Sequence, residues 1–161
     1  MRTAGRSVSF DPNLRPALWA TPEHMRASVN DLAARADGVL PGLDEGRFLT
    51  GEETAEGIAG FYRHLGASLV VVKLGSGGAY FDSGLEGKSS QGYVPGFPVA
   101  EVIDTVGAGD GFAVGVISGL LDGLGVAAAV KRGAWIGARA VQVLGDNESL
   151  PTRAELVAAQ L

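Results

Sequence analysis

Six consecutive residues, Ser68-Leu69-Val70-Val71-Val72-Lys73, constrain the fold of this chain more than any others. β-Branched side chains favour extended backbone. An unbroken apolar run, without polar alternation, fits a strand covered on both faces, as in the centre of a parallel sheet. Parallel neighbours need long crossover connections, usually helices. The flanking sequence supplies them. Thr21-Pro22-Glu23-His24 reads as a helix start, with Thr as N-cap and Pro in the first position, and Met25, Val29, Leu32 and Ala33 form its apolar face. Residues 43–51 read as a short helix ended by Gly51, and Ala55 to Leu65 as a longer one with Ile58, Phe61, Tyr62 and Leu65 inward. Arg6-Ser7-Val8-Ser9-Phe10 and Gly38-Val39-Leu40 read as two further short strands. Ala79-Tyr80-Phe81 and Gln91 to Val94 read as antiparallel return and edge strands. The expected class is α/β with a mainly parallel sheet.

The second half of the chain turns on Asp104-Thr105-Val106-Gly107-Ala108-Gly109-Asp110-Gly111-Phe112. A β-rich run, Val99 to Ile103, precedes it, and a helix from Gly107 to about Leu121 follows. The amides that open a helix lack intrahelical acceptors, and the dipole there favours negative charge. Glycines let a ligand approach that backbone closely. Asp110 stands in the first turn, beside the anion site. An anion cradle with an adjacent potential base suggests phosphoryl transfer to a hydroxyl; the plainer reading of Asp110 is a dipole partner of the helix. A second helix is expected from Val126 to about Leu144, buried along Val130, Ala134, Ile136, Ala140, Val141 and Leu144. Its small residues, Gly133 to Ala140, suit close packing or a flat ligand. Gly145 to Glu148 reads as a polar turn and Thr152 as the cap of a last helix, Arg153 to Ala159.

Three further places carry polar groups at strand ends, where open α/β sheets bind ligands. Asp11-Pro12-Asn13-Leu14-Arg15-Pro16 is either a proline-bounded turn or a ligand loop, and Arg15 suits a carboxylate or phosphate. Lys73 ends the central strand. Gly75-Ser76-Gly77-Gly78 is either a phosphate cradle or a tight hairpin. It is neither a Walker A loop nor a dinucleotide fingerprint. His24 and His64 read as surface residues, and Trp19 and Trp135 as core rather than ring stackers.

Composition narrows the partners. Of 161 residues 46% are apolar and 25 are Gly, so the chain is globular, with many turns and close backbone approaches. A net charge of −5 gives no general reason to expect nucleic acid or an anionic membrane. The absence of Cys excludes a disulfide framework and Cys-ligated zinc, and fits a cytoplasmic protein. No apolar run approaches the roughly 18 residues of a membrane span. The basic stretch Met1 to Arg6 lacks the apolar core of a signal peptide.

The stretch Asp104 to Asp110 resembles the C-terminal signature of PfkB-type, ribokinase-like sugar kinases. Asp11-Pro12-Asn13-Leu14-Arg15-Pro16, Pro41 through Glu45, Leu49-Thr50-Gly51, Val72-Lys73-Leu74-Gly75 with Gly78, and Gly145 through Thr152 fall in the family's order. Within the family, Arg15-Pro16-Ala17-Leu18-Trp19 and Leu40-Pro41-Gly42-Leu43-Asp44-Glu45-Gly46 are most similar to the 2-keto-3-deoxygluconate kinases. The resemblance implies a three-layer αβα fold. It also implies ATP-dependent phosphorylation of a sugar or sugar acid, most simply 2-keto-3-deoxygluconate. The alternatives are a kinase for fructose or ribose, or a catalytically incomplete nucleotide-binding fragment. Asp110 is implied as the general base. Gly107, Ala108 and Gly109 are implied as amide donors to the transferred phosphoryl group. Lys73, Gly75 and Gly78 are implied at the nucleotide, and Arg15 at the sugar or its carboxylate. Glu45 is implied as a Mg²⁺ ligand acting through water, and Asp104 as part of a monovalent-cation (K⁺) site. Where the family's Asn-x-x-Glu motif carries Asn, this chain has Gly42. The resemblance treats residues 1–161 as one domain, the C-terminal, nucleotide-binding half of such a kinase. Homo-oligomerisation, or association with the N-terminal half, is the expected way to cover an unpaired sheet edge.

Overall fold

The computed structural model describes residues 7–145 and 148–161. Arg6, the start of the first expected strand, and Asp146 and Asn147, the centre of the expected polar turn, lie outside the described residues. Among those described, the strands are β1 (Ser9–Phe10), β2 (Gly38–Val39), β3 (Leu69–Lys73), β4 (Ala79–Ser83) and β5 (Ser90–Val94). The helices are α1 (Pro22–Ala33), α2 (Leu43–Thr50), α3 (Ala55–His64), α4 (Ala108–Leu121), α5 (Val126–Ala140) and α6 (Arg153–Ala158). The strands form one sheet in the order β1-β2-β3-β4-β5. β1 runs parallel to β2 and β2 to β3, with Ser9 opposite Gly38 and Val39 opposite Val70. By contact the chain divides into two compact units. The first holds the described residues up to Leu74 and Tyr80–Gly92; the second holds Gly75–Ala79 and Tyr93–Leu161.

In the first unit, β3 does what its composition requires: Leu69 through Val72 are buried. Val70 and Val72 pack with Val39, Ile58, Ala59 and Tyr62. A second cluster joins Met25, Val29 and Leu49 to Phe10, Leu14, Trp19 and Phe48. Caps set the helix starts. Thr21 accepts the His24 N–H at 3.1 Å and Thr54 the Gly57 N–H at 3.1 Å. The Tyr62 hydroxyl donates to Asn30 Oδ1 at 3.1 Å, and Asn30 Nδ2 donates to Leu49 O at 2.8 Å, which satisfies the polar groups that α1, α2 and α3 bury together.

In the second unit, α4 and α5 pack through residues without side-chain bulk. Gly111, Phe112, Gly115, Val116 and Gly119 form the buried face of α4. A Cβ on Gly115 would lie 2.6 Å from Gly133 Cα, and one on Gly133 would lie 2.7 Å from Phe112 O. The small residues of α5 therefore serve close packing. Trp135 is half-buried, with the Arg139 guanidinium 4.9 Å above its ring.

Four expectations are corrected. Leu32, placed on the apolar face of α1, is 52% exposed. Leu65, placed inward, caps the end of α3 and is partly exposed. Val99 to Ile103 is not a strand, and Val102 and Ile103 are exposed. The α5 helix stops at Ala140 instead of Leu144, which is 74% exposed. The last two share a cause. The Val141 carbonyl accepts the N–H of Ile103 at 2.7 Å and of Asp104 at 3.3 Å. An acceptor needed by a longer α5 is thus given to the segment before α4.

Candidate active site

The carboxyl ends of β1 and β3 bring several of the expected site residues together in the first unit. Chain leaving β1 forms the turn from Asp11 to Arg15, in which Asn13 has a left-handed φ of 40°. The Lys73 ammonium, at the end of β3, pairs with Asp11 Oδ2, and both side chains are largely buried. The cation expected at a nucleotide is therefore already neutralised by a carboxylate of its own unit. The Glu45 carboxylate bridges two backbones: Oε1 accepts the Leu14 N–H at 2.8 Å, and Oε2 accepts the Gly42 N–H at 2.8 Å. Glu45 is at the third position of α2, where a side chain reaching back to the N-cap amide stabilises the helix start. Its charge has an electrostatic consequence. Burial, and after it the negative charge of Glu45, holds the Tyr62 phenol well above its ordinary range, so the hydroxyl stays neutral and donates. Arg15 is exposed, and its Nη1 donates to Leu14 O at 3.0 Å.

The second unit holds the remaining expected residues. Asp104 Oδ1 accepts the Val106 N–H at 3.0 Å, closing a turn. Gly107 follows as N-cap of α4 with φ 77°, a left-handed conformation that glycine adopts without strain. It swings the chain from that turn into the helix, and the Gly111 N–H donates back to Gly107 O at 2.8 Å. The amides of Gly109 and Asp110 belong to the first turn and have no intrahelical acceptor. Asp110 is exposed beside them. These are the residues at which the sequence suggests an anion cradle with an adjacent carboxylate.

Gly75 and Gly78 also belong to the second unit, with φ of 57° and 95°. Gly78 is required by packing as well. A Cβ there would lie 2.1 Å from Val94 O and 2.4 Å from Gly96 N. Gly96 answers it, since its own Cβ would lie 2.3 Å from Ser76 O. The sequence signals the Gly96 turn only through the Pro95-Gly96 dipeptide and says nothing of its contact with Gly78. Nor does it give Asp11 a partner. Asp11 lies 62 residues from Lys73, and no local spacing links them.

The donor set fits a phosphate-bearing nucleotide at the α4 amides. For Mg²⁺ it fits an outer-sphere role: among the described residues no three Asp, Glu or His side chains converge on one point. Glu45 has both oxygens on backbone amides, with further lone pairs left for water. No helix among the described residues is long and apolar enough to cross a membrane.

A mixed five-stranded sheet with helices, its first three strands parallel, matches the ribokinase-like PfkB structures. Residues 1–153 match the pfkB family of carbohydrate kinases, and the chain belongs to that family. It is 56% identical, over 97% of its length, to the 2-dehydro-3-deoxygluconokinase of Bacillus subtilis (strain 168), of which it covers 47%. The PfkB protein from Polaromonas sp. JS666 superposes with a TM-score of 0.84 at 71% identity, covering 98% of this chain and 48% of that one. A double mutant of Vibrio cholerae O395 fructokinase, in fructose, ADP and potassium ion bound form, superposes with a TM-score of 0.85 at 34% identity, covering 98% and 51%. The chain spans about half the length of the relatives it matches.

Proposed function

We propose that this chain is the nucleotide-binding part of an ATP-dependent carbohydrate kinase whose acceptor is a sugar acid of the 2-keto-3-deoxygluconate type. The observation that carries the reading is the start of α4 at Gly107–Asp110: the amides of Gly109 and Asp110 without an intrahelical acceptor, the Ala108 N–H only on a long bond to Thr105 O at 3.4 Å, and the exposed Asp110 carboxylate beside them. In the proposed reaction the acceptor hydroxyl attacks the γ-phosphorus of ATP, and the bond from that phosphorus to the bridging oxygen of ADP breaks. Asp110 takes the hydroxyl proton. The amides of Gly107, Ala108 and Gly109 stabilise charge on the oxygens in transfer. Bound Mg²⁺ supplies neutralisation of phosphate charge, with Glu45 in its outer shell. Asp104 takes part in a K⁺ site, Lys73, Gly75 and Gly78 flank the nucleotide, and Arg15 meets the acceptor's carboxylate. Both compact units belong to one catalytic domain, completed by a further sugar-binding half or a second copy, in a cytoplasmic setting. The 56% identity to a 2-dehydro-3-deoxygluconokinase supports this acceptor over fructose.

Calorimetry with ATP and Mg²⁺, followed by an ADP-release assay, tests the division of labour. Nucleotide binding with turnover far below the 1–100 s⁻¹ usual for kinases is the expected result. Phosphorylation of 2-keto-3-deoxygluconate at a full kinase rate by this chain alone would refute the incomplete sugar half. Absence of nucleotide binding would refute the cradle.

A further inference from the structure

We infer that Glu45 is a positioning residue for Arg15, acting through the Leu14 amide; the role assigned to Arg15 rests on the function proposed above. The turn from Asp11 to Arg15 contains its own turn formers, Pro12 and Asn13, with Asn13 left-handed at φ 40°, a conformation asparagine tolerates better than most residues. It is also held from outside. At its first residue the hold is the ion pair of Asp11 with Lys73. At its far end it is the Glu45 carboxylate on the Leu14 N–H, one residue before Arg15. Glu45 is itself fixed, because its other oxygen accepts the Gly42 N–H at 2.8 Å. Charge-assisted bonds of this kind are the stronger ones in proteins.

Gly42 is not what makes this possible. Its φ of −71° is open to any residue. A Cβ at Gly42 would lie 3.2 Å from Glu45 Oε2, the mobile end of a flexible side chain. Thr152, which carries a Cβ, donates its N–H to Glu155 Oε2 at 2.8 Å in the same arrangement. The hold on Leu14 therefore belongs to the Glu45 carboxylate itself. The metal role sketched from resemblance requires the charge of Glu45; the positioning role requires an acceptor oxygen at the Leu14 N–H.

The test is amide exchange by NMR on the wild-type chain and on Glu45→Ala, Glu45→Gln and Gly42→Ala. Titration with 2-keto-3-deoxygluconate and with fructose accompanies it. Glu45→Ala is expected to speed Leu14 exchange about tenfold or more, the loss of one charge-assisted bond. Gly42→Ala, which leaves the carboxylate in place, is the control and is expected to leave Leu14 exchange within twofold of wild type. Glu45→Ala and Arg15→Ala should weaken the sugar acid by similar factors and leave fructose unchanged, and the double variant should be no weaker than Arg15→Ala. Glu45→Gln, which keeps a carbonyl oxygen for Leu14, should restore most of the sugar-acid affinity. Leu14 exchange unchanged within twofold in Glu45→Ala overturns the inference. So does Glu45→Gln binding the sugar acid no better than Glu45→Ala. If Glu45→Ala does not fold, Glu45→Met, which keeps the apolar stem but offers Leu14 no carboxylate oxygen, takes its place. If Arg15→Ala binds the sugar acid as tightly as the wild type, the proposed function of Arg15 fails; in that case, or where the chain without its sugar-binding half binds no sugar acid, Leu14 exchange alone decides whether Glu45 anchors the turn.

Discussion

Adding one methyl group at Gly115 is expected to destabilise the second unit, although alanine is the better helix former. Gly115 is in the interior of α4, where Gly→Ala ordinarily gains about 0.5–1 kcal/mol. Here the new Cβ would meet Gly133 Cα at 2.6 Å, Gly133 N at 2.8 Å and Arg132 O at 3.0 Å. All three are backbone atoms of α5 and cannot rotate away. An ordinary carbon–carbon contact is about 3.5–4.0 Å, so the helices must separate by about 1 Å along their closest line. Overpacking of this kind costs about 1–3 kcal/mol. Subtracting the propensity gain leaves a net loss of about 0–2.5 kcal/mol, and the three backbone contacts at or below 3.0 Å put this site in the upper half of that range, about 1–2 kcal/mol. Gly60 is the matched control: it is exposed within α3, and a Cβ there meets nothing within 4 Å. Gly60→Ala should gain about 0.5–1 kcal/mol. In urea, with a slope near 2 kcal/mol/M, Gly115→Ala should lower the midpoint by roughly 0.5–1 M and Gly60→Ala should raise it. Amide exchange in α4 and α5 should quicken only for the former. A midpoint for Gly115→Ala equal to or above wild type would refute close helix packing as the reason for glycine at this position.

The other perturbations act on charge, capping and chemistry. The Arg132 hydrogen bond, assisted by Arg153, holds the Asp122 carboxyl below its ordinary value of 3.8. A depressed carboxylate contributes stability above its unfolded pKa and loses it as pH falls through the folded one. Wild-type stability should therefore drop below about pH 4 more steeply than that of Asp122→Asn, and parallel acid titrations of the two proteins, followed by circular dichroism, check this. Thr152→Ala removes the cap of α6, which accepts the Glu155 N–H at 3.3 Å, and should cost about 1 kcal/mol, read by faster exchange of α6 amides. Asp110→Asn should retain the fold and nucleotide binding and lower phosphoryl transfer by about 10²–10⁴-fold in the assembled kinase, measured as ADP release.

The parts of the fold that were legible in the sequence are those governed by local chemistry. β3 is an unbroken β-branched run, and α1, α3 and α6 begin at Thr21, Thr54 and Thr152, each accepting a first-turn amide. The misreadings occur where a distant partner decides. Val141 and Leu144 continue the apolar period of α5, but the Val141 carbonyl is captured by Ile103 and Asp104, about forty positions earlier in the chain. Val102 and Ile103 look like strand residues for the same reason: apolar character is visible in a sequence, and the acceptor that a backbone will find is not.

The site divides along the same line. Gly107 and Gly78 are indistinguishable in sequence, each a glycine in a glycine-rich turn beside a strand or helix. In the structure Gly107 supplies a left-handed turn into α4. Gly78 is held by packing as well as by φ, because Val94 O and Gly96 N occupy the space of its Cβ. Substitution at Gly78 therefore damages the fold whether or not a nucleotide ever binds there, and loss of activity in such a variant would not identify a ligand contact. Lys73 raises the converse problem. Its pairing with Asp11 means that Lys73→Ala takes the ion-pair partner from a largely buried carboxylate as well as removing a cation. Only residues whose side chains are free of structural bonds report on chemistry directly, and among the expected site residues the exposed Asp110, at the start of α4, comes nearest to that condition.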